Sequence, residues 1–411
     1  MIPPLRLAPQ IWMQQAEARR LIAAFAEAGY TARYVGGCVR DAVLGMPIRD
    51  IDIATDALPE RSMALIRALG MTAVPTGIDH GTVTAVGKRS YEITTLRRDV
   101  TTDGRRATVA FTDDWREDAA RRDFTMNAMF LDGDGTVLDF FGGLEDLAAG
   151  RVRFVGEPAR RLAEDHLRLL RFFRFHAFYG KGAPDDDGLA ACRQAAPCLP
   201  ALSVERIRQE MLRLLEAPEP VACLRLMQDE GILRHALPEA CPAPLLDRLA
   251  HLVARDNARN RRADPLLRLL ALLPPGRQAA TALATRWKLS NAERERMEKA
   301  AALAPMLSPD MSAHAAHIVI QAEGNQALAD AAGLRACEGS PAPWDALLRL
   351  AGEWQAPAFP LKGRDLAALG LQAGPEMGRL LKIAEAWWIE SDFTADRSAC
   401  LDHLKALISQ S

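Results

Sequence analysis

Residues 34–55 read YVGGCVRDAVLGMPIRDIDIAT, and the alternation at the end of this stretch decides how the rest of the chain is arranged. A short apolar β-like run, Ala32 to Val35, ends in Gly36-Gly37. A helix-like segment follows, with Arg40 and Asp41 in its first turn, and Gly45 with Pro47 stops it. Next comes Arg49-Asp-Ile-Asp-Ile53. Side chains alternate along a strand, so Asp50 and Asp52 share one face while Ile51 and Ile53 go to the core. The two carboxylates then stand roughly 6–7 Å apart, a span suited to divalent ions held about 3.5–4 Å apart in phosphoryl transfer. The Gly-Gly turn offers backbone N–H groups as a phosphate seat, with Gly37 opening the helix and Arg40 beside it. Either feature alone is commonplace, a plain turn or a solvated strand face. In this order and within about twenty residues, they point to a nucleoside triphosphate and Mg²⁺.

Composition sets wide bounds. The 411 residues are 49% hydrophobic and 25% charged, which is ordinary for globular proteins and enough for two or three domains. No run of about 18 apolar residues predicts a membrane span, and the first twenty residues lack the apolar core of a signal peptide. The seven cysteines are scattered without C-x-x-C pairs, which fits reduced cytoplasmic thiols and neither a zinc site nor a disulfide frame. With a net charge of −2, affinity for a polyanion has to come from local clustering. Residues 151–174 supply it, with seven arginines against three acids. His314 and His317 share a helix face, but no third ligand is in view and no metal is inferred there.

Downstream of the aspartates the pattern alternates between strand and helix. Gly81 to Val86 and Tyr91 to Leu96 read as hairpin partners. Glu92 in the second is either a surface acid on an edge strand or a third carboxylate beside Asp50 and Asp52, activating the attacking hydroxyl or completing a metal shell. Residues 98–118 are polar with few apolar anchors and read as a mobile loop. In Ala120 to Met129, ARRDFTMNAM, helical spacing makes Asp123 and Asn127 neighbours with Arg122 flanking. The carboxylate and amide suit ribose hydroxyls, and the arginine suits the triphosphate. In Glu164 to Arg174, EDHLRLLRFFR, Asp165 and Arg168 fall one helical turn apart. An acceptor beside a donor fork can imitate a Watson–Crick edge, admitting C and A through their amino groups and refusing U and G. Arg171 and Arg174 drift off that face and are assigned to the triphosphate or the primer backbone. Leu167, Leu169, Leu170, Phe172 and Phe173 read as core. From 187 onward the pattern is helical, with Ser203 as an N-cap and Ser290 to Glu293 as a capping box. The basic stretch 255–262 reads either as an RNA contact or as a solvated loop.

Taken together, GGCVRD-x₈-DIDIAT, RRD-x₃-NA and ED-x₂-R resemble the motifs of the class II nucleotidyltransferases, the tRNA CCA-adding enzymes and bacterial poly(A) polymerases. A further likeness lies in Phe359-Pro-Leu-Lys-Gly-Arg-Asp-Leu366 and the glycines after it, which resemble the tail of the CCA-adding members. The resemblance implies an α+β chain: a polymerase β-like nucleotidyltransferase head with a short mixed sheet over 1–150, a helical neck that recognises the base over 151–216, and a helical body and tail that bind tRNA over 217–411. It implies template-independent addition of C, C and A to the tRNA 3′ end from CTP and ATP, with Mg²⁺ on Asp50 and Asp52. It also makes 98–118 the family's flexible loop, Gly142-Gly143 a hinge and 202–210 a helix-stabilising neck motif. The rival readings are a poly(A) polymerase, a half enzyme adding only CC or only A, and a tRNA-binding protein with a decayed head.

Overall fold

The computed structural model describes residues 5–8, 10–103, 106–240, 243–339 and 342–409. The strands are β1 (Ala32–Val35), β2 (Ile51–Thr55), β3 (Thr72–Gly77), β4 (Thr82–Val86), β5 (Ser90–Thr95), β6 (Arg97–Asp103), β7 (Arg106–Phe111), β8 (Met129–Leu131) and β9 (Val137–Asp139). Seven form one sheet in the order β3-β4-β5-β2-β1-β8-β9, and β6 with β7 forms a separate ribbon. The sheet is mixed, as expected: β2 runs antiparallel to β1 but parallel to β5. A parallel neighbour needs a crossover, supplied between β2 and β5 by α4 (Pro59–Ala68) followed by β3 and β4. The alternation expected for β2 holds. Ile51 and Ile53 are almost fully buried in the sheet core with Tyr91 and Ile93, while Asp52 between them is only half-buried.

Helices clothe this sheet and continue from it. The helix expected over 11–29 is two, α1 (Ile11–Gln14) and α2 (Ala16–Glu27), because Gln15 adopts an extended ψ. The diglycine opens α3 (Gly37–Val43). Beyond α4 come α5 (Trp115–Ala120), α6 (Gly143–Ala149), α7 (Pro158–Glu164), α8 (Leu167–Tyr179), α9 (Asp186–Ala195), α10 (Val204–Leu215), α11 (Pro220–Asp229) and α12 (Leu233–Ala236). All of these belong to one compact unit, Met1–Cys241. The expected core side chains of α8 are buried, and its Phe172 stacks on Phe154 at 5.6 Å.

Three sequence expectations need correction. Residues 98–118 are not a loop: β6 and β7 pair from Arg97↔Phe111 to Asp103↔Arg106, and Asp114 then caps α5. Val100, Thr101, Thr108 and Val109 carry the β-propensity that polar neighbours concealed; Gly104 and Arg105 lie outside the described residues. The segment ARRDFTMNAM is not α-helical, because Asp123 precedes a single 3₁₀ turn, Thr125–Asn127, that leads into β8. The run from Glu164 to Arg174 is not one helix either. Asp165 is extended (φ −156°, ψ 105°), and its Oδ1 accepts the Leu167 N–H at 3.1 Å, ending α7 and starting α8.

Gly142 and Gly143, expected to form a hinge, each also answer a local backbone or packing demand. Gly142 is left-handed at φ +77°, and a Cβ on Gly143 would meet the Thr125 carbonyl oxygen at 2.3 Å. The Gly143→Ala protein should therefore lose roughly 2–4 kcal/mol of stability; an unchanged melting temperature would contradict this close approach.

The second unit, Pro242–Ser411, is helical in its described residues. One core gathers around Leu328, Ala331 and Leu347, another around Leu366, Trp388 and Leu404. The capping box at Ser290 and Glu293 is present, whereas Ser203 stands at the N-cap of α10 without a capping bond. Within the basic stretch, Arg255 donates to the Gly333 carbonyl at 3.1 Å and Arg259 pairs with Asp345, so these two arginines serve packing. His314 and His317 do share a face, and both Nδ1 atoms lie within 3.1 Å of Asp392 Oδ1. Among the described residues, no helix is long and apolar enough to cross a membrane.

Candidate active site

Asp50 sits immediately before β2, exposed, and Asp52 is its second residue. The parallel register sets Glu92 of β5 directly beside Asp52, so the acid that the sequence left ambiguous lies on the aspartate face. None of the three carboxylates forms an ion pair with a described residue. Burial pushes the Asp52 carboxyl up to about 6; Glu92 adds like charge, Arg122 opposes, and Asp50 adds a little more. Oxygen-only donors with uncompensated negative charge suit a hard divalent cation. Among the described residues, no group of three or more His, Cys, Asp or Glu is arranged to hold a metal. Mg²⁺ is commonly held by one or two carboxylates, with substrate phosphates and water completing its shell.

The diglycine turn faces this cluster. Gly36 has φ +73° and ψ −127°, a conformation other residues avoid, and a Cβ there would lie 3.5 Å from Arg122 Nη1. Arg122 is in turn gripped from behind, its Nε and Nη2 donating to Asp118 Oδ2 at 3.2 and 2.9 Å. Asp118 is fully buried, and its carboxyl is held below the usual range. Burial alone would raise it, but the Arg122 and Arg121 guanidiniums outweigh that effect. Sequence reading missed this residue because it sits in a polar stretch. Its spacing of three and four from Arg121 and Arg122 was the available signal.

Arg40, assigned to the triphosphate beside Gly37, does lie against that glycine, where a Cβ would be 3.6 Å from its Nη2, but its guanidinium is also engaged inside the protein. Only 7% exposed, it donates to Asp41 (2.8 Å) and to Asn127 Oδ1 (2.8 Å), and its guanidinium lies 4.2 Å over the Tyr179 ring. Asn127 donates to Asp123 Oδ1 at 3.1 Å, so the expected Asp123–Asn127 pairing holds without the expected helix. Asp123 also accepts the Phe124 N–H at 2.9 Å and both Nε (2.8 Å) and Nη2 of Arg171. A carboxylate has about four acceptor sites, and these donors use them all, leaving none for a ribose hydroxyl. Burial alone would raise the Asp123 carboxyl, but the Arg171 charge and the hydrogen bonds from Asn127, Arg171 and Phe124 outweigh it and bring it down to about 2.

Arg171 and Arg174, assigned to triphosphate or primer, also point inward. Arg174 Nε donates to Glu210 Oε2 at 2.6 Å, and Arg171 lies 3.8 Å from the same carboxylate. A relay thus runs Asp41–Arg40–Asn127–Asp123–Arg171–Glu210–Arg174, joining α3, the 3₁₀ turn, α8 and α10. Glu210, buried on α10, was read as merely structural and is the relay's far anchor.

Asp165 and Arg168 stay one turn apart, the Arg168 N–H donating to the Asp165 carbonyl at 3.0 Å, but among the described residues no bond joins their side chains and each finds another partner. Asp165 Oδ2 accepts from Arg206 of α10 at 2.7 Å, while Arg168 Nη1 donates to Glu164 at 2.5 Å and to the Arg161 carbonyl at 3.0 Å. Arg168 Nη2 also reaches the Arg121 carbonyl at 3.3 Å, linking it to the turn that carries Arg122.

A family model for the poly A polymerase head domain matches residues 32–153, and one described as a probable RNA and SrmB-binding site of polymerase A matches 184–243. The chain is 34% identical over 399 residues to the mitochondrial CCA tRNA nucleotidyltransferase 1 of Mus musculus, covering 93% of this chain and 88% of that protein. It is 34% identical to the CCA-adding enzyme of Limosilactobacillus fermentum over 93% of this chain and 95% of that protein. The crystal structure of the Bacillus stearothermophilus CCA-adding enzyme in complex with CTP superimposes with a TM-score of 0.76 at 31% identity, over 96% of this chain and 97% of that one. With most of its length matched at this identity, and with the aspartate strand, the diglycine turn and the neck arginines gathered in one unit, the chain belongs to the class II nucleotidyltransferases, among the CCA-adding enzymes.

Proposed function

We propose that this chain adds C, C and A in turn to the 3′ end of tRNA, using CTP and ATP and releasing pyrophosphate. The observation that carries the reading is the half-buried carboxylate of Asp52, in no ion pair with a described residue, with Asp50 two residues before it, Glu92 in register beside it and Arg122 near enough to be felt. Asp50 and Asp52 would hold the divalent ion, which we take to be Mg²⁺; once bound it would lower the pKa of the primer 3′-hydroxyl and neutralise the leaving pyrophosphate. Arg122 and the Gly36–Gly37 backbone receive the triphosphate. Glu92, in register with Asp52, is our candidate to accept the hydroxyl proton. Asp123, Asn127 and Arg40 brace the site from within, and Arg171 with Arg174 ties it to the neck. Asp165, oriented by Arg206, and Arg168 read the base from the neck, 151–216, while the body and tail, 217–411, carry the tRNA. Described cysteines without disulfides, five of the six buried, suit a reducing compartment such as the cytoplasm.

The test is incubation with tRNA lacking its CCA end, giving each nucleotide separately and then both. CTP alone should yield two additions and the pair three. Poly(A) polymerase is the second reading, favoured by the name of the matched head domain; ATP-only tailing of arbitrary RNA would establish it and refute ours. Base choice has its own test. Arg168→Ala should relax rejection of UTP and GTP by roughly tenfold or more while changing triphosphate affinity less. Unchanged selectivity would remove Arg168 from base reading.

A further inference from the structure

We infer that Asp118 is a positioning residue for nucleotide binding: it sets the direction of Arg122 and ties that arginine to the root of the β6–β7 ribbon. Its two oxygens divide the work. Oδ2 takes Nε and Nη2 of Arg122, one whole edge of the guanidinium, while Oδ1 takes Arg121 Nε at 2.8 Å and the backbone N–H of Arg97, the first residue of β6, at 3.3 Å. A planar guanidinium held along one edge has its remaining direction fixed. Here the remaining nitrogen, Nη1, points at the Gly36 turn, and the Phe130 ring lies 5.5 Å from the guanidinium carbon.

The grip leaves Arg122 in electrostatic reach of the acidic strand, because Asp52 still feels the guanidinium that Asp118 holds. Because Arg121 also lends its carbonyl to Arg168, the turn that Asp118 pins lies between the phosphate end and the base-reading end of the nucleotide.

This inference rests on the triphosphate reading of Arg122, and the experiment keeps the two separable. Nucleotide KM and kcat are measured on Asp118→Glu, Arg122→Lys and the double variant, with tRNA in excess. Asp118→Glu keeps the charge but displaces the grip by one methylene, so KM for CTP and for ATP should each rise by about tenfold. The kcat and the rejection of UTP and GTP should stay near wild type. Lysine cannot be gripped along an edge, so Arg122→Lys should raise KM similarly and the double variant scarcely further. If Arg122→Lys leaves KM unchanged, the triphosphate reading fails. If Arg122→Lys raises KM but Asp118→Glu does not, or if the two effects add, the inference about Asp118 fails alone. Should Asp118→Glu not fold, the isosteric Asp118→Asn is judged by the same criteria; failure of both to fold would assign Asp118 to the core and overturn the inference.

Discussion

Replacing Asp52 by Asn should cut nucleotide addition by at least roughly a thousandfold, a loss of about 4 kcal/mol of transition-state stabilisation, and should nonetheless stabilise the metal-free protein at neutral pH. The sign follows from the raised pKa. In the folded chain Asp52 titrates at about 6, against an ordinary 3.8. Between those values the folded state keeps a proton that the unfolded state has released, so stability declines as pH rises and the full penalty applies above about 6. Asparagine never carries the charge. After allowance for a half-solvated carboxylate, the gain is on the order of 1–2 kcal/mol. Melting in EDTA should show Asp52→Asn above wild type at pH 7.5, with the advantage shrinking towards pH 4. A lower melting temperature at pH 7.5 would contradict the picture of an acid strained for function.

Asp123 behaves in the opposite sense. Its carboxyl is held near 2, below the ordinary 3.8, so its contribution to stability is present above about 4 and is lost as pH falls towards 2. Asp123→Ala should cost roughly 3–5 kcal/mol at pH 7, because it removes the acid that Arg171 bonds and leaves the more distant Glu210 and Asp165 to offset its charge. Since the four donors on Asp123 leave no acceptor for a sugar, the preference for CTP over dCTP should persist in whatever protein folds. A collapse of that preference with little loss of stability would return Asp123 to the ribose-reading role that its motif suggested.

What the sequence made legible was local. Period-two alternation gave the aspartate strand and its buried isoleucines, the glycines marked the turn before α3, and the hairpin of β4 and β5 was plain from two short β-rich runs. Capping chemistry at Ser290 and Glu293 was readable because donor and acceptor lie three residues apart. The roles of the charged residues were less legible because their partners are distant in the chain. Arg171 meets Asp123 across 48 positions and Arg206 meets Asp165 across 41. Helical periodicity placed Arg171 beside its neighbours on α8 and could not see the acids that turn it inward. Asp165 misled in another way: as a side chain that bonds the N–H two residues on, it broke the helix on which its pairing with Arg168 depended. The ribbon at 97–111 was hidden because its sequence is mostly polar and charged, with few of the apolar residues by which strands are recognised.

The central claim is that Asp50 and Asp52 hold a catalytic divalent ion against the triphosphate, and Mn²⁺ binding followed by electron paramagnetic resonance with a non-hydrolysable CTP analogue tests it directly. The wild-type chain should bind Mn²⁺ in the presence of the analogue, and Asp52→Asn should lose that binding while remaining folded. Equal Mn²⁺ binding by the two proteins would contradict the account.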